Sequence, residues 1–188
     1  MAATNQGSER KTDRLEAFSD AVLAIAITLP VAELKAPETK LGGDLGADFG
    51  GLGSHYAAYG LSWAVIGLYW GYSHFSGKIT KKTDHGFNLL TLLFLAAVSL
   101  TPFPTRPFVE HFDDPANSRV AALVYSGALT APTILWFARW CYAIWRGLLD
   151  PRLPGEYVRS VTLRYAGTTI ACTLGLALTA IGPWKIGM

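Results

Sequence analysis

The sequence predicts an all-α, polytopic bundle of transmembrane helices, and three observations carry that prediction. Apolar residues make up 51% of the chain against 16% charged, with a mean hydropathy of +0.27. The charges cluster between apolar runs that approach the roughly 20 residues needed to cross a bilayer. The alternation that marks a barrel strand is absent, and lipid forces a spanning backbone to satisfy itself as helix. The pattern reads as one membrane domain over residues 1–188 with five visible spans. A net charge of +2 leaves no electrostatic footprint for nucleic acid.

The first span covers about residues 14–34. It begins at Arg14 and becomes continuously apolar from Ala21, with Ser19 and Asp20 just inside. An ionisable group in hydrocarbon costs at least about 2.5–3.5 kcal/mol on insertion scales, so it is usually paired and functional. Ala24-Ile25-Ala26 fits a small-x-small cleavage site, but Asp20 interrupts the apolar region that should precede one. The span therefore reads as a retained anchor. Glycines between Gly42 and Gly53 predict a flexible outer loop.

The second span covers about residues 55–75, with Tyr59, Trp63, Trp70 and His74 on one helical face. The third covers about residues 87–103, and Pro102-Phe103-Pro104 is expected to end it sharply. Asn88 lies near its start. The fourth covers about residues 120–142, where Arg139, Trp140 and Trp145 suggest an interfacial anchor. Asp150 to Gly155 reads as a plain linker. The fifth covers about residues 163–181, where Gly167, Ala171, Gly175 and Thr179 form a small-residue ladder suited to close helix packing. Cys141 and Cys172 read as small buried residues, not as a disulfide or metal site.

Lys and Arg placement orients the spans. With the N-terminus in the cytoplasm, Arg10, Lys11, Arg14, Lys78, Lys81, Lys82, Arg146, Arg152, Arg159 and Arg164 lie inside. Only Lys35, Lys40, Arg106, Arg119 and Lys185 lie outside. Lys78, Lys81 and Lys82 read most simply as positive-inside residues.

A helix turns by about 100° per residue. With Ile25 at zero, Thr28 falls near about −60°, Leu29 near about +40° and Ala32 near about −20°. These residues share a stripe. Asp20 lies about 140° away, grouped with Leu23, Ala24 and Ile27. Such a stripe alone also describes an ordinary lipid-facing or core helix. His74 and Asn88 match Asp20 in depth. Antiparallel neighbours can therefore gather Asp20, Ser19, Trp70, His74 and Asn88, which is how a buried carboxylate is tolerated.

Arg14-x-x-x-Phe18-Ser19-Asp20, followed by Ala-Val-Leu-Ala-Ile-Ala-Ile-Thr-Leu-Pro-Val, resembles the first helix of the transmembrane protein 175 family, the potassium channels of endolysosomes and bacteria. Tyr69-Trp70, His74, Asp84, Asn88-Leu89-Leu90 and the Pro102-Phe103-Pro104-Thr105 ending extend the resemblance, which is weak after Val120. It implies six spans, one more than this sequence displays. It implies a homotetramer with a central pore lined by the first helix, in the plasma membrane. It implies Ile25 as the pore constriction, with Leu29 in the next layer and Ala32 beyond, and Thr28 as a contributor to potassium preference. Arg14 joins Ser19, Asp20, Trp70, His74 and Asn88 as the structural polar network.

The chemistry is coherent. A ring of branched apolar side chains can gate by dewetting, and a hydroxyl ring can replace part of an ion's water shell. No Thr-Val-Gly-Tyr-Gly filter occurs, so selectivity over sodium should be weak. The permeant ion is potassium and no cofactor is implied. The alternative is a small proton-coupled secondary transporter using Asp20 and His74 as a relay. A non-conducting membrane scaffold also fits the composition. A membrane enzyme is disfavoured, because no nucleophile–base pair, metal cluster or cofactor motif appears.

Overall fold

The computed structural model describes residues 12–34, 36–37 and 41–181. The expectations placed on Arg10, Lys11, Lys35, Lys40 and Lys185 lie outside the described residues. The described chain is helical apart from one isolated bridge. The helices are α1 (Asp13–Thr28), α2 (Leu45–Gly51), α3 (Gly53–Ile79), α4 (His85–Ser99), α5 (Pro102–Glu110), α6 (Ser118–Trp145) and α7 (Gly155–Ile181). A 3₁₀ turn, Leu29–Glu33, continues α1.

Four stretches are long and apolar enough to cross a membrane: Asp13–Ala32, His85–Glu110, Ser118–Trp145 and Gly155–Ile181. The expected second span corresponds to α3, which has 27 residues. At 1.5 Å per residue it reaches about 40 Å. Its glycines, serines, tyrosines and tryptophans make it less apolar than those four, so it matches them in length and not in hydropathy.

Three sequence expectations need correction. The glycine-rich outer loop is partly helical. Asp44 caps α2 by accepting hydrogen bonds from the amides of Gly46 (2.9 Å) and Ala47 (3.1 Å), which satisfies two free N–H groups of the first turn. The prolines do not end the third span. Pro102 stands in the first turn of α5, where a missing N–H breaks no helical bond, so the chain stays helical to Glu110 after a short break. The Asp150–Gly155 segment is more than a linker. Thr80 bridges to Leu149, the Lys81 amide donates to the Leu148 carbonyl (2.9 Å), and the Asp150 amide donates to the Ile79 carbonyl (2.8 Å). These bonds pin the α3–α4 and α6–α7 connections together at one end of the bundle.

α1 packs against α3 and α4, α4 against α6, α3 against α5, and α6 against α7. The central core joins Leu23 and Ala26 of α1, Ile66 of α3, Phe94, Leu95 and Val98 of α4, and Trp136 of α6. Lipid tails are as apolar as leucine, so close packing and interhelical hydrogen bonds hold such a bundle. Tyr69 donates to the Leu129 carbonyl at 3.1 Å, tying α3 to α6. Trp140 Nε1 donates to Thr162 Oγ1 at 2.8 Å, and Arg119 donates to the Ala180 carbonyl, so α7 runs antiparallel to α6.

Several side chains differ from expectation. Arg139 and Trp140 are buried, not interfacial, whereas Trp145 is exposed. The Arg139 guanidinium lies 4.5 Å from the Phe87 ring centre and 4.7 Å from that of Trp136, so the rings of two helices shelter its charge. Cys141 is exposed and Cys172 half-buried. The ladder on α7 packs only at its far end. Thr179 is buried, while Gly167 and Ala171 face outward. Hydroxyls do the joining instead, Thr130 donating to the Cys172 carbonyl (3.3 Å) and Thr169 to the Thr133 carbonyl (3.4 Å).

Candidate functional site

The predicted stripe of α1 is the part of that helix its own subunit leaves uncovered. Ile25 is 60% exposed and Leu29 55%, with Thr28 and Ala32 also exposed. On the other side Leu23 is 1% exposed and Ala26 1%. The packing of α3 and α4 against one face creates this asymmetry. Ala24 falls on the uncovered side, not with Leu23, so the open stripe is broader than helical phase alone suggests.

Two local features tune the stripe. Pro30 stands within the first turn of the 3₁₀ segment, which has three residues per turn, so Leu29 and Ala32 eclipse each other along one line. Thr28 Oγ1 lies 2.9 Å from the Ile25 carbonyl and 3.1 Å from that of Ala24, and donates its proton to them. The hydroxyl proton is thereby engaged on the helix itself. The oxygen keeps its acceptor capacity on an exposed face.

The polar residues near the opposite end are only partly gathered. Trp70 Nε1 donates to Asp20 Oδ1 at 3.1 Å, joining α1 to α3. His74 stacks on Trp70 with ring centres 5.5 Å apart and an interplanar angle of 21°. Trp70 is thus the link between Asp20 and His74, and no hydrogen bond joins those two directly among the described residues. Ser19 is buried and donates to the Leu15 carbonyl at 2.8 Å, along its own helix. Asn88 is half-buried, its Oδ1 enclosed without a hydrogen-bond partner among the described residues, and Arg14 is exposed.

Sequence reasoning missed two clusters that brace the neighbours of α1. At the first, Asp84 caps α4 through the Phe87 amide (2.9 Å) and also accepts from Tyr142 (3.1 Å) and Arg146 (3.0 Å) of α6. Burial alone would raise this carboxyl's pKa, but those three donors outweigh it and hold it below the ordinary carboxylate value. An Asp before an apolar run was a readable cap, and Tyr142 and Arg146 are one helical turn apart. At the second, Glu110 of α5 pairs with Arg106 at 2.8 Å and with His55 of α3 at 3.7 Å. His55 and Arg106 line a small cavity together with Pro30 and Leu34, so this cluster supports the far end of the α1 segment. Nothing in the linear sequence brings His55 to Glu110.

No group of three metal-ligating side chains occurs among the described residues. What the fold defines is a multi-pass helical membrane protein whose α1 leaves an apolar, hydroxyl-bearing face open. Residues 14–102 match the family model described as "Endosomal/lysosomal potassium channel TMEM175". A potassium channel of Streptomyces collinus is 35% identical over 173 residues, covering 90% of this chain and 84% of its own. A potassium channel of Chamaesiphon minutus is 34% identical over 179 residues, covering 94% and 88%. The crystal structure of a lysosomal potassium-selective channel TMEM175 homolog from that organism superposes with a TM-score of 0.77 at 33% identity, covering 94% of this chain and 89% of that one. The chain belongs to the TMEM175 family, which is a family of ion channels and not of enzymes.

Proposed function

We propose that this protein is a potassium channel of the plasma membrane, selective only weakly over sodium, formed by four copies around an axis lined by α1. Ile25 and Leu29, with Ala32 beyond them, form the apolar constriction. Thr28 supplies a ring of acceptor oxygens to a partly dehydrated cation. The N-terminus is cytoplasmic, because Lys78, Lys81, Lys82, Arg146 and Arg152 all lie at or beside the two connections pinned together at one end. On this reading α3 is the fifth crossing segment.

The single observation that carries the reading is the open stripe of α1. A pore needs an apolar ring narrow enough to dewet, and it needs one helix per subunit whose axial face no other helix covers. The transporter alternative is less well supported, since the indole of Trp70 is what links Asp20 and His74. Unitary currents from purified protein in planar bilayers test the proposal, because a transporter turns over too slowly to produce them. Ile25→Asn should raise the unitary conductance by wetting the constriction and weaken potassium preference. Absence of unitary current from correctly assembled protein would refute the channel. Unaltered conductance in Ile25→Asn would remove Ile25 from the gate.

A further inference from the structure

On the flank away from the open α1 stripe, α3 and α7 do not close on each other. They leave a groove of about 610 Å³ between them. Its α3 wall is made by Gly67, Leu68, Gly71 and Tyr72. A Cβ added at Gly71 would meet nothing within 4 Å, so the glycine leaves a track in that wall. Toward the bundle interior the groove continues into a second hollow of about 230 Å³, floored by Leu129, Trp136 and Cys172. The floor is closed by aromatic rings, Tyr72 meeting Tyr165 edge-on at 6.2 Å. The result is a channel-shaped apolar recess, running along the helices.

One charge interrupts it. Arg164 of α7 lines the groove and is exposed, and its guanidinium has no carboxylate partner among the described residues. Arg164 stands nine residues into the helix, about 14 Å from its start. The apolar span begins beside it, at about residue 163, so its guanidinium stands where it can meet an anionic headgroup at the interface. Tyr157 and Ser160 line the same groove, one to two turns nearer the end of the bundle that holds the pinned connections. Arg164 is the one charged residue in this lining; beyond it the wall is mostly apolar, and the Thr168 hydroxyl there is bonded back to the Arg164 carbonyl.

We propose that this groove binds an anionic phospholipid of the leaflet on that side. Its phosphate pairs with Arg164 and accepts hydrogen bonds from Ser160 and Tyr157, while one acyl chain lies along the α3 wall at Gly71. The charge and the apolar recess demand an occupant with an anionic head joined to a long hydrocarbon tail. A soluble phosphate would leave the recess unfilled, and a zwitterionic lipid, whose phosphate is balanced by its own quaternary ammonium, would leave the Arg164 charge uncompensated. The inference uses only the membrane-spanning fold, so it stands apart from the channel reading.

Native mass spectrometry of the delipidated protein in detergent, titrated with phosphatidylglycerol or phosphatidylcholine, tests it. The intact protein should retain phosphatidylglycerol in clear preference to phosphatidylcholine. Arg164→Gln should reduce phosphatidylglycerol binding about tenfold and remove the preference. Gly71→Leu, which fills the track from a position with free space, should weaken both lipids. Equal binding of the two lipids by the unaltered protein would overturn the proposal. So would a phosphatidylglycerol preference unmoved by Arg164→Gln. If a protein segment or a second copy fills the groove instead, lipid binding will ignore both substitutions. A cysteine placed at Leu68 would then resist a membrane-soluble maleimide, and the proposal fails.

Discussion

At the scale of single residues, the proposed function assigns Thr28 to conduction and Asp20 to construction. Both are polar groups on an apolar helix, but their partners differ. Thr28 spends its proton on its own backbone and presents oxygen outward. Thr28→Val keeps the branched shape and removes that oxygen. Reversal potentials in opposed potassium and sodium gradients should move toward less potassium preference, with little change in assembly. An unaltered permeability ratio would assign selectivity elsewhere. Asp20 instead accepts from Trp70 across the α1–α3 contact. Asp20→Ala leaves the indole N–H without its acceptor and loosens α1. We expect a loss of up to about 1.5–3 kcal/mol, the range for a hydrogen bond to a charged group. Lower assembled yield and melting temperature in detergent, at a preserved reversal potential, is the expected result. A stable protein with altered selectivity would place Asp20 on the ion path. The α1 stripe itself was legible from a period of 3.6 residues, because one helix obeys its own phase. The partners of Asp20 were legible only as a set at one depth. Ser19 turned to its own backbone, and no sequence rule predicts which of several donors a carboxylate meets.

At the scale of elements, Asp84 shows why helix ends matter as much as helix faces. One carboxylate caps α4 and receives Tyr142 and Arg146 from α6, so two helices share a single joint. Gly86 makes room for it, since a Cβ there would collide with the Tyr142 hydroxyl. Gly86→Ala should therefore dislodge Tyr142 and lower stability. Asp84→Asn should cost about 1–2 kcal/mol at neutral pH, through weakened capping and pairing. The folded pKa of Asp84 is depressed. Its stabilising contribution is thus present above the ordinary carboxylate value of about 3.9 and is lost as pH falls through the folded value. Thermal unfolding of the two proteins from pH 7 downward should converge below about pH 4. A constant gap across that range would show that the carboxylate charge is not what the joint uses. Four of the five expected spans were readable from composition, yet α5 was not. Pro102 reads as a stop unless it is known to occupy a first helical turn, and that depends on where the preceding helix breaks. The α2 cap was readable in principle, since Asp44 precedes the glycines it organises, but glycine density masked it.

At the scale of the whole molecule, one subunit cannot enclose an ion path with a single exposed face. Exposed apolar residues are unremarked in lipid, so the stripe does not by itself demand a partner. On the proposed reading the Thr28 oxygen, between Ile25 and Leu29, faces an axial column of water and cations; Thr168 and Thr173 on α7 carry the same exposed, helix-bonded hydroxyl, so the oxygen alone does not mark a pore. Closing that face requires copies related by rotation, and a closed ring of identical contacts is the ordinary solution for a membrane oligomer. The proposed assembly has four copies. Rotation about an axis on the stripe brings each Ile25 toward the same residue of its neighbours and carries α6 and α7 to the periphery. Single cysteines in a Cys141→Ser, Cys172→Ser background test this arrangement. Ile25→Cys and Leu29→Cys should form inter-subunit disulfides under mild oxidation, read as dimers on non-reducing gels. Leu174→Cys, exposed on α7, should not. The assembled particle in detergent should have the mass of four chains. Cross-linking at Leu174 in place of Ile25 would put α7 at the axis and reassign the pore to another helix.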